Sequence, residues 1–283
     1  MTPDRAQRGR REIKYIILEE EALAIRSYLS GYLDPDENAV GKPDNAYAVH
    51  TLYLDSNHLA TFHAADDGDR NRFKLRIRYY DDSLWSPVFF EIKRRLNDGI
   101  VKQRARVRRD AVRSLLAGES PKPEHLYKWN ERQWSDLLDF WQLVERLQAA
   151  PRAHNAYMRE AYVNDDASVR VTLDRAVMIA PEFGCELGTE ITNPVEVFAG
   201  KVLLELKFTE RMPMWLIEMV HGFELTSSGA AKYVRGVEML GLQRVARRQV
   251  GFEWGNAVTS TATSTAWLDS SAAINKALGP NRQ

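Results

Sequence analysis

The stretch RFKLRIRYY, residues 72–80, alternates without a break: Arg72, Lys74, Arg76 and Arg78 fall on one parity, and Phe73, Leu75, Ile77 and Tyr79 on the other. A strand sends successive side chains to opposite faces, so this segment carries one apolar face and one face of cations. The same alternation recurs in REIKYII (11–17), YAVHTLYLD (47–55), VFFEIKRR (88–95), IVKQRARVRR (100–109), AYMREAYV (156–163), SVRVTLDR (168–175) and VLLELKF (202–208). That makes eight strands. Their polar faces align Glu12 with Lys14, and Glu91 with Lys93 and Arg95. They also align Lys102 with Arg104, Arg106 and Arg108, Tyr157 with Arg159, Arg170 with Thr172 and Asp174, and Glu205 with Lys207.

Same-face neighbours on a strand lie about 6.6 Å apart. Two like charges at that distance repel by roughly 0.6 kcal/mol in water and roughly 2.5 kcal/mol at an effective dielectric of ~20. One such strand facing solvent is cheap. Several sharing an enclosed face are costly unless an anion joins them. The apolar faces need cover too, and helices packed outside would supply it, leaving the charged faces within. The pattern therefore predicts an α+β fold: an antiparallel eight-stranded β-barrel with helices around it and a cationic interior. Small barrels ordinarily fill their interior with apolar side chains, so this one is inverted. Such an interior suits a polyanion, and carboxylates among the cations suit Mg2+ or Mn2+, which take oxygen ligands and bridge phosphates.

Helical periodicity predicts helices over 19–33, with an apolar stripe at Leu23, Ile25 and Leu29, and over 213–223. The clearest helix is 130–150, where Trp134, Leu137, Leu138, Trp141, Val144 and Leu147 recur at three- and four-residue spacing before Pro151 stops it. One domain is expected over 10–243, followed by a Ser/Thr/Ala-rich, weakly ordered tail over 244–283 with a short helix at SAAINKAL. Lys+Arg and Asp+Glu are equal at 39 each, so bulk charge does not mark a nucleic-acid binder, and the aromatic interleaving of single-strand platforms is sparse. The single cysteine, Cys185, excludes an internal disulfide, argues against a thiolate zinc site and fits a reducing compartment. The N-terminus, MTPDRAQRGRR, lacks the apolar core of a signal peptide, and the longest candidate span, PMWLIEMV, is short and carries a glutamate. A cytoplasmic location is expected. The six histidines show no metal-ligand spacing, and His50 and His154 read as packing residues.

REIKYII, HTLYLD, KLRIRYY, FEIKRR, VKQRARV, YMREAYV, VRVTLDR, LLELKF and AAKYVRG stand in the order expected of a VTC domain. Over roughly residues 10–243 the chain resembles this polyphosphate polymerase branch of the triphosphate tunnel metalloenzymes. The resemblance implies ATP and inorganic polyphosphate as substrates, Mn2+ or Mg2+ as cofactor, and for some relatives a membrane partner. It implies phosphate binding by Lys14, Arg76, Arg78, Lys93, Lys102, Arg104, Tyr157, Arg159 and Lys232, with Arg106 and Arg170 as further candidates. Glu205 would hold the metal, and Glu12, Glu91 and Asp174 would assist it or orient the cations. Arg76, Arg78, Lys93, Arg159 and Lys232 would carry catalysis, Lys232 matching the lysine of the family's Ser-Lys-Tyr/Phe motif.

Two departures bear on function. Ala231 stands where the family has a serine, and Gly229 two places earlier, so a hydroxyl and a basic group are missing where the acceptor would bind. Arg10 occupies the first position of the Glu-x-Glu-x-Lys strand of the triphosphatase relatives, which counts against the hydrolase branch. Two other activities stay open: a metal-dependent tripolyphosphatase or nucleoside triphosphatase, and a non-catalytic binder of polyphosphate or inositol phosphates.

Overall fold

The structure is a computed structural model and describes residues 10–97 and 99–246. All eight expected strands form: β1 (Arg10–Ile17), β3 (Ala46–Asp55), β4 (Asn71–Tyr79), β5 (Val88–Leu96), β6 (Gly99–Val107), β7 (Ala150–Val163), β8 (Val169–Pro181) and β10 (Val202–Thr209). Two-residue strands β2 (Asp34–Pro35) and β9 (Val195–Glu196) pair with β7 and β8. The helices are α1 (Glu19–Leu29), α2 (Ala60–Asp66), α3 (Val112–Leu116), α4 (Glu131–Leu147), α5 (Met214–Gly222), α6 (Lys232–Leu240) and α7 (Leu242–Val245). The expected tail helix at SAAINKAL lies outside the described residues.

The sheet runs β1-β10-β8-β7-β3-β4-β5-β6, antiparallel throughout. It is a ten-stranded open sheet and not the closed eight-stranded barrel expected, because β1 and β6 do not pair. Each of these edges is satisfied by another part of the chain. Tyr15 bridges Ser227, and the Ser228 N–H donates to the Lys14 carbonyl at 2.7 Å. On β6, Val107 bridges Leu126, while the Arg104 and Arg106 N–H groups donate to Asp136 Oδ2 (3.1 Å) and Gln133 Oε1 (2.9 Å) of α4. Both edges are thus covered in part by other chain segments. The sheet is nevertheless strongly curled, since Lys93 of β5 reaches Glu12 of β1 at 3.2 Å.

Apolar strand faces point outward into two packed layers, and a third apolar cluster lies on the concave side. Phe73, Leu75, Ile77, Phe90 and Ile92 meet α4. Tyr15, Ile17, Val171, Leu204 and Leu206 meet α1 and α5. On the concave side Tyr53, which pairs with Arg76, and Leu203, which pairs with Asp174, pack with Ile179 against α2 and α6, so these helices cover part of that face instead of lying outside the sheet. The Asn130 side chain accepts from the Arg132 and Gln133 N–H groups and so starts α4. Its buried face is Leu137, Phe140, Leu143, Val144 and Leu147, so Phe140 and Leu143 replace the expected Leu138 and Trp141. Burial of a side chain such as Phe140 contributes about 1.5–3 kcal/mol. In α1 the buried positions are Ala22, Ile25 and Leu29, and Leu23 is exposed.

One boundary differs from expectation, and helices α2 and α6 form where periodicity marked none. Pro151 does not merely stop α4; it stands near the start of β7, opposite Leu54, where the β3–β7 register shifts and its missing N–H costs no ladder bond. Helix α2 is held by Asp55, whose carboxylate accepts from the Thr61 and Phe62 N–H groups at 2.9 Å each. The Tyr233 hydroxyl donates to the same carboxylate at 3.0 Å, which ties α6 to β3. Helix α6 lies so close to β8 that a Cβ on Gly236 would sit 2.5 Å from Ile179 Cδ1.

Candidate functional site

The curl gathers the polar parity of every long strand onto one concave face. Glu91 is its first node: Arg76 Nε at 2.7 Å, Lys102 Nζ at 2.8 Å and Arg104 Nε at 2.9 Å share this one fully buried carboxylate. Glu205 is the second, with Lys207 Nζ at 2.7 Å, Lys232 Nζ at 2.9 Å, Arg159 at 3.7 Å and Lys14 at 3.8 Å. Asp174 joins it, taking a bidentate fork from Arg159 at 2.6 and 2.7 Å and Lys232 Nζ at 2.6 Å. Glu12 joins the second node through Lys14 (3.1 Å) and takes Lys93 of β5 at 3.2 Å. Lys232 and Arg159 lie over the Tyr157 ring at 4.8 and 5.1 Å.

Of the residues singled out from sequence, Lys14, Arg76, Arg78, Lys93, Lys102, Arg104, Tyr157, Arg159, Glu205 and Lys232 all fall on this face or against it. Two others sit at its rim. Arg170 pairs with Asp36 at 2.5 Å, and Arg106 is exposed near the Phe89 ring. Two cations join the cluster that were not singled out. Lys207 contacts Glu205, and Lys74 stands opposite Lys93 in the β4–β5 register and 5.7 Å from the Tyr233 ring. Parity alone marks both, since they alternate with buried apolar neighbours like the rest.

The face carries more cation than its carboxylates neutralise. Burial alone would raise the carboxyl pKa values, but surrounding ammonium and guanidinium groups outweigh it. Lys93, Lys207 and Lys14 hold Glu12 well below the usual carboxylate range, and Lys207, Lys232, Lys14 and Arg159 do the same for Glu205. The lysines show the reverse strain. Burial, then the neighbouring Lys14, Lys93, Arg72 and Arg76, push Lys74 down to about 7. Burial lowers Lys102 to about 7 because Glu91 is shared with Arg104, Arg76 and Arg78 and cannot compensate it. Lys93 falls to about 8, with burial again the main cause and Glu12 partly opposing it.

Some polar atoms on the face have no hydrogen-bond partner among the described residues. Arg78 is buried; its guanidinium makes only a 3.4 Å contact to the Tyr157 hydroxyl, and its Nε has no hydrogen-bond partner. The buried hydroxyls of Thr51, opposite Arg78, and Thr172, opposite Glu205, are likewise unpartnered. Buried polar groups are nearly always satisfied, so a row of exceptions on one cationic face points to a ligand rich in acceptor oxygens.

No group of three or more His, Cys, Asp or Glu side chains among the described residues forms a metal cage. Glu205, ionised and only 5% exposed, fits as the protein oxygen donor once phosphate competes for its four cations, with Glu12 next to it across Lys14.

The concave face of a curled antiparallel sheet is thus lined by arginines and lysines around a few ionised carboxylates. The chain belongs to the VTC domain family, whose model matches residues 9–241. At family level it is a triphosphate-tunnel-type phosphotransferase. No match is found among curated proteins. Among solved structures the chain is similar to one from Bacillus halodurans described as "a putative adenylate cyclase", at 13% identity and a TM-score of 0.46, covering 79% of this chain and 95% of that one. A likeness this low adds nothing to what the family match shows. No helix among the described residues is long and apolar enough to cross a membrane.

Proposed function

We propose that the protein is a metal-dependent polyphosphate polymerase that moves the γ-phosphoryl group of ATP onto an inorganic polyphosphate chain. The observation that carries this reading is the buried Arg78 guanidinium, whose Nε has no hydrogen-bond partner among the described residues, set among Arg76, Arg159 and the depressed lysines. Phosphoryl transfer asks a protein for positioning and charge neutralisation more than covalent chemistry. Arginine forks grip phosphate oxygens bidentately, while lysines act as point charges. Arg76, Arg78 and Arg159 hold the donor triphosphate, with Lys93, Lys102, Arg104 and Lys14 along it and Tyr157 as hydroxyl partner. Lys232 holds the acceptor end; because it shares Asp174 with Arg159, donor and acceptor abut. A terminal phosphate oxygen of the acceptor attacks Pγ, the bond from Pγ to the β-bridging oxygen breaks, and ADP leaves. The acceptor is already anionic, so no base is required. A divalent metal held by Glu205 would offset charge on the phosphate oxygens.

One observation favours hydrolysis as the second reading: Ala231 supplies no hydroxyl beside Lys232. Water would then replace the chain as acceptor. The test of the main reading is Glu205→Gln, assayed for ATP turnover and for nucleotide binding. Turnover is expected to vanish while binding persists through the remaining cations. Full turnover in the variant would remove Glu205 as the metal ligand.

A further inference from the structure

Beside the concave face lies a cleft of about 450 Å3 between the inward side of β6 and the first turns of α4. That volume is within the ~300–1,000 Å3 range of ligand sites. Lys102 and Arg104 belong to both spaces, so the cleft continues the phosphate-binding face sideways, and Arg106 and Arg132 extend its cationic lining.

The lining fixes the chemistry of an occupant. The one carboxylate in the wall, Asp136, is committed: its oxygens accept from Gln103 Nε2 at 3.3 Å and the Arg104 N–H at 3.1 Å. The amides of Arg132 and Gln133 at the start of α4 already bond Asn130, so the guanidinium groups and not the helix end supply donors. The one aromatic ring, Phe89, is engaged by Arg104 at 3.8 Å and Arg106 at 5.8 Å, with Tyr80 edge-on at 5.8 Å. It offers a poor stacking platform for a nucleobase. Arginine-rich walls with a spent carboxylate suit a chain of phosphates.

We propose that this cleft binds the part of an oligophosphate chain that extends beyond the three phosphates on the concave face, so that the chain passes over β6 toward the start of α4. The proposal rests on the phosphate-binding reading of that face. It is tested by measuring the affinity of the whole protein for tripolyphosphate, ATP and long-chain polyphosphate, in the wild type, in Arg132→Glu and in Arg106→Glu/Arg132→Glu. Arg132 and Arg106 are exposed, and thermal melts report whether the variants remain folded. Arg132→Glu should weaken long-chain binding roughly tenfold, the scale of turning one screened attraction into a repulsion, while leaving tripolyphosphate and ATP within about twofold. The double variant should weaken long-chain binding further, and salt should shrink the difference. Equal affinity for the long chain in wild type and both folded variants would overturn the proposal. So would a selective loss of ATP binding in Arg132→Glu, which would assign the cleft to the nucleoside. Failure of the wild type to bind tripolyphosphate at all would overturn the reading of the concave face and this proposal with it.

Discussion

Binding of a polyanion should draw protons onto the protein. In the free protein Lys74 and Lys102 titrate near 7 and Lys93 near 8, each held down by burial and by neighbouring cations. A bound triphosphate supplies the missing negative charge and returns each lysine toward its ordinary value near 10.4. At about pH 8 the two lower groups are mostly neutral and Lys93 is half neutral, so full return takes up between two and three protons, roughly. The same linkage weakens affinity by up to roughly 200-fold between pH 6 and pH 8, an upper value because these side chains are partly exposed. The ligand contributes little at pH 8, since a terminal phosphate has its last pKa near ~6. Calorimetric titration with tripolyphosphate at about pH 8, in buffers of different ionisation enthalpy, counts the protons directly. Lys102→Met should remove about one of them. No net uptake, or net release, would refute the account of these lysines.

Without ligand the same groups set a stability trend. Their folded pKa values lie below the unfolded ones, so between about 7 and 10 the unfolded chain binds more protons and stability rises with pH; a melting temperature that falls from pH 7 to pH 9 would contradict this. Lys232→Met strips a buried ammonium from Asp174 and Glu205 and should destabilise by about 3–5 kcal/mol in denaturant titration, toward the low end because Arg159 and Lys207 remain; a loss under about 1 kcal/mol would show that Lys232 is not clamped as described. Gly236→Ala forces α6 off Ile179 and should cost about 1–3 kcal/mol. It should also reduce turnover, because α6 carries Lys232 at its first position; an unchanged melting temperature would show that the helix has room.

The strands were legible because parity is a local property. Arg76, Arg78, Glu91 and Glu205 alternate with buried apolar neighbours, and that alternation fixes which face each occupies once the apolar face is covered. Closure was not legible. It depends on whether β1 meets β6, and residues far away in sequence decide that: Ser227 and Ser228 on one edge, Leu126, Gln133 and Asp136 on the other. Helix α2 was missed for a related reason, since seven residues carry little periodicity and Asp55 upstream holds its first turn. Pro151 misled because proline ends a helix and also tolerates the irregular start of a strand. Lys74 and Lys207 had the right parity, but the family motifs did not single them out. What completes the site is thus partly long-range ion pairing, which appears only when the sheet has curled.

The central claim is chain synthesis from ATP on the concave face, and product analysis tests it most directly. Purified protein would be incubated with ATP and Mn2+, and polyphosphate resolved from orthophosphate. The account predicts ADP and polyphosphate forming together, with both lost in Glu205→Gln. Orthophosphate as the sole product, in the wild type and in Ala231→Ser alike, would contradict the polymerase and establish hydrolysis instead.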